Sequence, residues 1–351
     1  MRDTAKLIMI VLAPLFFLAA HAQTYTATDL GTLRHGSARV HGINATGQAV
    51  GQTGYPHGGD THAFFWEKQG GMRDLGTLPG GDFSAAFAIN DIGVVVGTSN
   101  TATKMHGFFW TAAGGLHDLG TLAGSDSSQA YGINNKGQIA GASGSHAVIW
   151  DTATGVIQDL GTLGGNSSEA HAINNLGQVV GMSQASDGSA HAFLFSNGAM
   201  QDLGTLPGDT ESRADHINDS GMIVGASTGS SGVRAFFWSK SGGMEPIGSL
   251  TGGDYSEAFG VNSQGQVVGE SGSSLGTRAF LWTHGGGAID LNAVVTGLAT
   301  NIVLTGAFSI NDKGEIVAFG LRNANVSRHQ ETTMDSHVHS GPTRVFLLTP
   351  Q

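Results

Sequence analysis

The sequence contains no cysteine. That excludes a disulfide framework and a lipid-modified N-terminal cysteine, so an exported form of the chain must rely on packing and sheet pairing alone. Charge is scarce as well: Asp, Glu, Lys and Arg make up 12 % of the residues, about half the share of an average globular protein, as expected when most strands have both faces covered. Basic residues are the rarer sign, 16 against 27 acidic, for a net charge of −11. The chain therefore lacks the basic patches that nucleic acid and anionic membrane surfaces require. Apolar runs are short too. The one from Leu7 to Ala20 falls below the roughly 20 residues of a membrane helix, and no later segment comes close, so membrane insertion is not expected.

That N-terminal run has another reading. Arg2 and Lys6 precede it and Ala20-His21-Ala22 closes it, the charged, apolar and small-residue order of a cleavable secretory signal. Residues 1–22 are read as this signal and residues 23–351 as one domain, monomeric and secreted to a periplasm or the extracellular space. The mature length would allow two domains, but a repeat runs through it without a linker.

Glycine, by contrast, is abundant at 56 residues, because each repeat needs several turn positions. The repeat is clearest from Ser168 to Gly208, SEAHAINNLGQVVGMSQASDGSAHAFLFSNGAMQDLGTLPG. Its marker asparagines, Asn44, Asn90, Asn134, Asn174, Asn218, Asn262 and Asn311, recur at intervals of 46, 44, 40, 44, 44 and 49 residues. Seven units of this period, each with four strand-like segments, are the signature of an all-β, seven-bladed β-propeller.

Each unit begins with a period-two strand such as Ala170-His171-Ala172-Ile173. Asn-x-x-Gly follows, as in Asn174-Asn175-Leu176-Gly177, a tight hairpin turn in which Asn bonds the backbone and Gly takes positive φ. The second strand is Gln-Val-Val-Gly or a near copy, and the third carries the aromatics, with all five tryptophans at one repeat position as in His62-Ala63-Phe64-Phe65-Trp66. A fourth strand ends in Asp-Leu-Gly-Thr-Leu at Asp29, Asp74, Asp118, Asp159 and Asp202, with degraded copies at Pro246 and Asp290.

The two ends of the chain are complementary. Asp29-Leu30-Gly31-Thr32-Leu33 has no aromatic strand before it, and Arg344-Val345-Phe346-Leu347-Leu348 has no Asp-Leu-Gly strand after it. An open solenoid gains nothing from such halves and needs capping repeats instead; a ring gains a latch, with the N-terminal strand completing the last blade.

The recurring His-Ala-Phe and Ala-Phe-Phe-Trp strands, the Ile-Asn-x-x-Gly-Gln-Val-Val-Gly hairpin and the Asp-Leu-Gly-Thr-Leu-x-Gly-Gly segment resemble the bacterial extracellular HAF repeat family across nearly all of the mature chain. The resemblance implies a secreted repeat protein and carries no catalytic residues with it. The sequence departs from the pattern in placing Arg at the His position in Arg234, Arg278 and Arg344, and in an enlarged last repeat.

Regular positions are expected to serve the scaffold. Gly225-Ala226-Ser227-Thr228-Gly229 matches the G-x-S-x-G pattern of serine hydrolases, but it ends a blade strand rather than turning into a helix, and Ser183 and Ser271 hold the same repeat position. The repeated His62, His106, His146 and His191 cannot converge on one metal from around a ring. They are expected to tie the third strand to a neighbouring segment, with Asp29 and its repeats as acceptors.

Function is sought where the copies disagree. The connections after the second strand vary, at Tyr55 to Thr61, Ser99 to Met105, Ser183 to Ala190 and Ser271 to Thr277, and variable loops on a rigid scaffold are the usual carriers of binding. The largest, Leu321 to Thr343, contains His329, His337 and His339 beside Glu331 and Asp335, a donor set for a divalent metal or simply a solvated loop. No other cofactor is implied. A second candidate is the start of the innermost strands. Five residues before the markers stand Arg39, Gln129, Glu169, Arg213 and Glu257, and three before them His41, Tyr131, His171 and Asp215; at a concave mouth these suit a sugar or small anion, unless they bond one another between blades.

The leading reading is a binding or interaction module for a glycan or a cell-surface partner. Alternatives are a propeller-type polysaccharide lyase or hydrolase using the same acids and bases, and an envelope structural or assembly protein offering its outer strand edges.

Overall fold

The structure, a computed structural model, describes residues 23–33, 36–54, 60–322 and 343–351. The signal assigned to residues 1–22 and the candidate metal ligands His329, His337 and His339 lie outside them. Among the described residues no helix is long and apolar enough to cross a membrane.

Among the described residues seven sheets, antiparallel except for one short pair in the last, follow one another along the chain. Blades I to VI have the first strands Ser37–Ile43, Ser84–Ile89, Ser128–Ile133, Gly164–Ile173, Asp209–Ile217 and Ser256–Val261, and each adds three more strands in sequence order. Blade VII is assembled from both ends of the chain. Ile302–Ile310, Ile316–Arg322 and Arg344–Pro350 are completed by Tyr25–Asp29, which runs antiparallel to Arg344–Pro350 with Tyr25 opposite Pro350 and Asp29 opposite Phe346. The sequence misses one further strand. Val295–Thr296 pairs parallel with the outer edge of Tyr25–Asp29, so the latch strand is held on both sides and has no free edge for its first residues.

The core is not one cluster but seven, each shared by two neighbouring blades. The aromatic third strand explains this: Phe64, Phe108, Phe193, Phe236 and Phe280 are fully buried at the same repeat position, where they contribute about 1.5–3 kcal/mol each. The cluster that joins blade VII to blade I sets Val317, Phe319, Val345 and Leu347 against Val40, Phe64 and Trp66. This contact closes a seven-bladed β-propeller.

Around the axis the marker asparagines make a second closure. Each Nδ2 donates to the backbone carbonyl of the next marker, from Asn44 to Asn90 at 3.0 Å through Asn262 to Asn311 at 3.2 Å. Each Oδ1 accepts backbone N–H groups of its own turn, as Asn174 does from Leu176 and Gln178. The expected turn role is present, and the same side chain also bonds between blades.

The innermost strands carry the site, and a second-strand glycine shapes them. A Cβ on Gly181 would lie 1.9 Å from the Glu169 carbonyl oxygen, and one on Gly269 1.9 Å from that of Glu257. Here glycine serves close approach of two strands rather than a turn. Immediately beyond, every innermost strand has a β-bulge, which re-aims the extra residue.

Candidate functional site at the axial mouth

The bulged residues are His41, Phe87, Tyr131, His171, Asp215, Phe259 and Phe308, one per blade. They form a collar. His41 sits edge-on between Phe87 and Phe308 with ring centroids 5.3 and 5.9 Å away, Phe87 packs on Tyr131 at 5.2 Å, Tyr131 on His171 at 5.9 Å, and Phe259 stacks on Phe308 at 4.9 Å. His171 Nδ1 donates to the Ala214 carbonyl at 2.9 Å and lies 3.5 Å from Asp215 Oδ1. His41 Nε2, His171 Nε2 and Asp215 Oδ2 are buried in this collar without a hydrogen-bond partner among the described residues.

Two residues earlier on each strand, toward the face of the variable loops, stand Arg39, Gln129, Glu169, Arg213 and Glu257. The structure brings nearly all the sequence-derived residues into contact. Arg213 donates to Asp215 at 3.1 Å and to Glu257 at 2.5 Å, His171 Nε2 is 3.9 Å from Glu169, and the Tyr131 hydroxyl donates to Gln129 at 2.5 Å. Arg213 to Glu257 and His171 to Asp215 join neighbouring blades, while the other contacts run along one strand; the charged residues still reach solvent, with Glu169, Arg213 and Glu257 keeping 24, 19 and 22 % of their side-chain surface. Arg39 and His41 stand on the opposite arc, beside the phenylalanines.

One carboxyl was missed. Glu270 lies directly opposite Glu257 in the strand register. Its repeat position holds Gln52, Thr98, Ala142, Met182 and Ala226 elsewhere, so a lone acid in the Gly-x-Ser triplet was the available signal. Burial, with the Glu257 carboxylate adding to it and Arg213 opposing, pushes the Glu270 carboxyl up to about 8. For His171, burial acts downward, but the Asp215 and Glu169 carboxylates outweigh it and raise the imidazole to about 9. Burial likewise works against the Asp215 carboxylate, yet Arg213 and His171 hold it below its ordinary value. On the far arc, burial and then Arg39 lower His41 to about 4. At neutral pH the mouth thus holds a cationic His171, a neutral His41 and a protonated Glu270.

The regular positions serve the scaffold. Ser227 is fully buried, accepts from the Leu206 N–H at 3.0 Å and donates to the Glu211 carbonyl at 3.3 Å; Ser183 and Ser271 accept in the same way from Leu163 and Leu250. His62, His106, His146 and His191 pair with Asp74, Asp118, Asp159 and Asp202 at 2.7–2.9 Å. Arg344 pairs with Asp29 across the latch. Where Pro246 replaces the acceptor, Arg234 turns to Asp209 at 2.8 Å.

The variable second-strand connections share a face with the fourth-strand connections, as the bridges Thr61 to Phe83 and Leu163 to Ala185 show. A surface cavity of about 490 Å³ on blade VII, bounded by Asp29, Asn301, Arg322 and Arg344, lies away from the axis. Among the described residues no three His, Asp or Glu side chains are arranged to hold a metal ion.

No protein-family model matches the sequence, and no curated protein matches it as a relative. Solved structures do match. Virginiamycin B lyase from Staphylococcus aureus superposes with a TM-score of 0.55 over 93 % of this chain and 99 % of its own, at 10 % identity. The β-propeller domain of the Trilobed protease from Pyrococcus furiosus gives 0.51 over 75 % and 84 %, at 11 % identity. The likeness is one of fold. The Pyrococcus domain has an open velcro topology, whereas here the two chain ends pair.

Proposed function

We propose that the protein is a secreted propeller that binds a glycan or similar cell-surface ligand at its axial mouth. The observation that carries this reading is the break in repeat symmetry there. Blades III to VI present Gln129, Glu169, Arg213 and Glu257 to the mouth, while Phe308 and Phe87 of blades VII and II flank His41 of blade I. A polar arc facing an aromatic arc suits a ligand with hydroxyl edges and apolar ring faces. The signal-like N-terminus and the HAF-like phrase support export. The test is retention of Gln23 to Gln351 on a panel of microbial and plant polysaccharides. The reading predicts saturable binding that Glu169→Ala with Arg213→Ala abolishes; absence of binding to every envelope or host-surface preparation would end it.

The Glu257 and Glu270 pair favours a second reading, a polysaccharide lyase or hydrolase. A protonated carboxyl opposite a carboxylate held by Arg213 is the kind of couple that general acid and base chemistry uses. Released oligosaccharides, detected by mass spectrometry in the same panel and lost in Glu270→Gln, would support it; product release unaffected by Glu270→Gln would remove these residues from the chemistry.

A further inference from the structure

The proposed glycan site has a feature that narrows its ligand. Two of its three cations, Arg213 and His171, stand against carboxylates. Arg213 spends Nε on Asp215 and Nη2 on Glu257, the two donors of the side-on edge with which it would otherwise grip a carboxylate, sulfate or phosphate. His171 has only 9 % of its side-chain surface exposed and stands between Asp215 and Glu169. Arg39, the remaining cation of the mouth, stands on the opposite arc beside the phenylalanines, largely buried. The mouth thus counts three cations, Arg39, Arg213 and His171, against three carboxylates, Glu169, Asp215 and Glu257, and the fourth carboxyl, Glu270, carries its proton.

We infer that the axial mouth is selective for an uncharged, polyhydroxylated ligand, a neutral glycan segment, lying on the closed collar rather than threading the channel. The inference rests on the glycan reading above and adds the charge class and the mode of binding. An anion gripping the side-on edge of Arg213 would have to displace Asp215 or Glu257, leaving a largely buried carboxylate without its cation. A hydroxyl group makes no such demand, because it donates to a carboxylate and accepts from an N–H where each already stands. The collar sets the mode: its neighbouring aromatic rings are 4.9–5.9 Å apart, and its unpartnered polar atoms on His41, His171 and Asp215 have no solvent contact. The ligand therefore meets a floor, with Phe rings on one side and the polar arc on the other.

The experiment is an array of neutral glucans, galactans, xylans and mannans beside uronate-containing and sulfated polysaccharides, read with the mature chain at low and high salt. Neutral glycans are expected to be retained, with affinity changing less than about threefold between the salt conditions, since ionic contacts are the ones that salt screens. Glu257→Gln should release one edge of Arg213 and bring at least a tenfold gain on uronate chains. Retention of uronate or sulfated chains by the unaltered protein, weakening with salt, would overturn the charge assignment; so would a Glu257→Gln variant that stays folded by circular dichroism and gains nothing on uronates. If no polysaccharide of either class is retained, the glycan reading itself fails and this inference with it.

Discussion

The side-chain amide of Asn311 donates to the backbone carbonyl of Asn44 at 3.0 Å, joining residues 267 positions apart. It is the seventh bond of the axial asparagine ring, and it closes the ring on the inside where the pairing of Tyr25–Asp29 with Arg344–Pro350 closes it on the outside. Asn311 also accepts from the Lys313 and Glu315 N–H groups. Asn311→Ala strands a buried carbonyl and these donors at once. Each stranded buried group costs about 1–3 kcal/mol, so the unfolding free energy from urea denaturation should fall by an amount within or above that range, with an unchanged folded circular dichroism spectrum at zero urea. A loss under about 0.5 kcal/mol, the range of ordinary surface substitutions, would show that the outer latch alone holds the ring.

Gly181→Ala tests the coupling of scaffold to site. The added Cβ would lie 1.9 Å from the Glu169 carbonyl oxygen and 2.9 Å from the Ala170 Cα, so the innermost strand has to move. Overpacking of this kind costs about 1–3 kcal/mol or more. The displaced strand carries Glu169 and His171, so ligand retention should drop more than stability alone explains. Gly155→Ala is the control: it sits in the turn between the third and fourth strands, has nothing within 4 Å and only a positive φ of 72°, and should cost about 1 kcal/mol without altering binding.

The polar residues that open the third strands should separate by burial. Asp209 has 1 % of its side-chain surface exposed and depends on Arg234, so Arg234→Ala leaves a buried carboxylate unpaired and should cost about 3 kcal/mol, the low end for such breaks because Arg234 itself is partly exposed. His62→Ala removes a pair in which Asp74 keeps 35 % exposure; it should cost no more than about 1 kcal/mol. Chemical denaturation of the two variants checks the order.

These contrasts show what the sequence could carry. Period and end complementarity made the ring and its latch legible because both are properties of the whole chain, and the His62 and Asp74 type of pair was legible because both partners repeat together. Arg234 was not, since its acceptor changed when Pro246 replaced the aspartate and Asp209 belongs to another part of the repeat. Val295–Thr296 was missed because two residues set no period, and the bulges because a strand with one extra residue still alternates by eye. At the mouth, Glu169 and Arg213 stood out as departures from the repeat. Glu270 departs from its repeat position too, but what it faces depends on the register between two strands, which no local pattern states.

Stability should pass through a maximum at about pH 6, and the sign follows from four groups. Burial lowers His41 and His216 from 6.5 to about 4, so between these values the unfolded chain binds more protons and stability rises with pH. Glu270 is raised from 4.5 to about 8; the folded state keeps a proton that the unfolded chain has lost, and stability falls across that window. His171, raised from 6.5 to about 9, contributes stability fully present below 6.5 and lost as pH climbs through 9. Up to about pH 6 the two histidine gains exceed the Glu270 loss, and beyond it Glu270 and His171 both subtract. Glu270→Gln deletes one of the two losses, so urea midpoints taken from pH 5 to pH 9 should place its maximum nearer pH 7. An optimum that does not move would mean that Glu270 is already ionised in the folded protein. The neutral-ligand inference would then lose its charge balance, because a fourth carboxylate would leave the mouth net negative and suited instead to a cationic ligand.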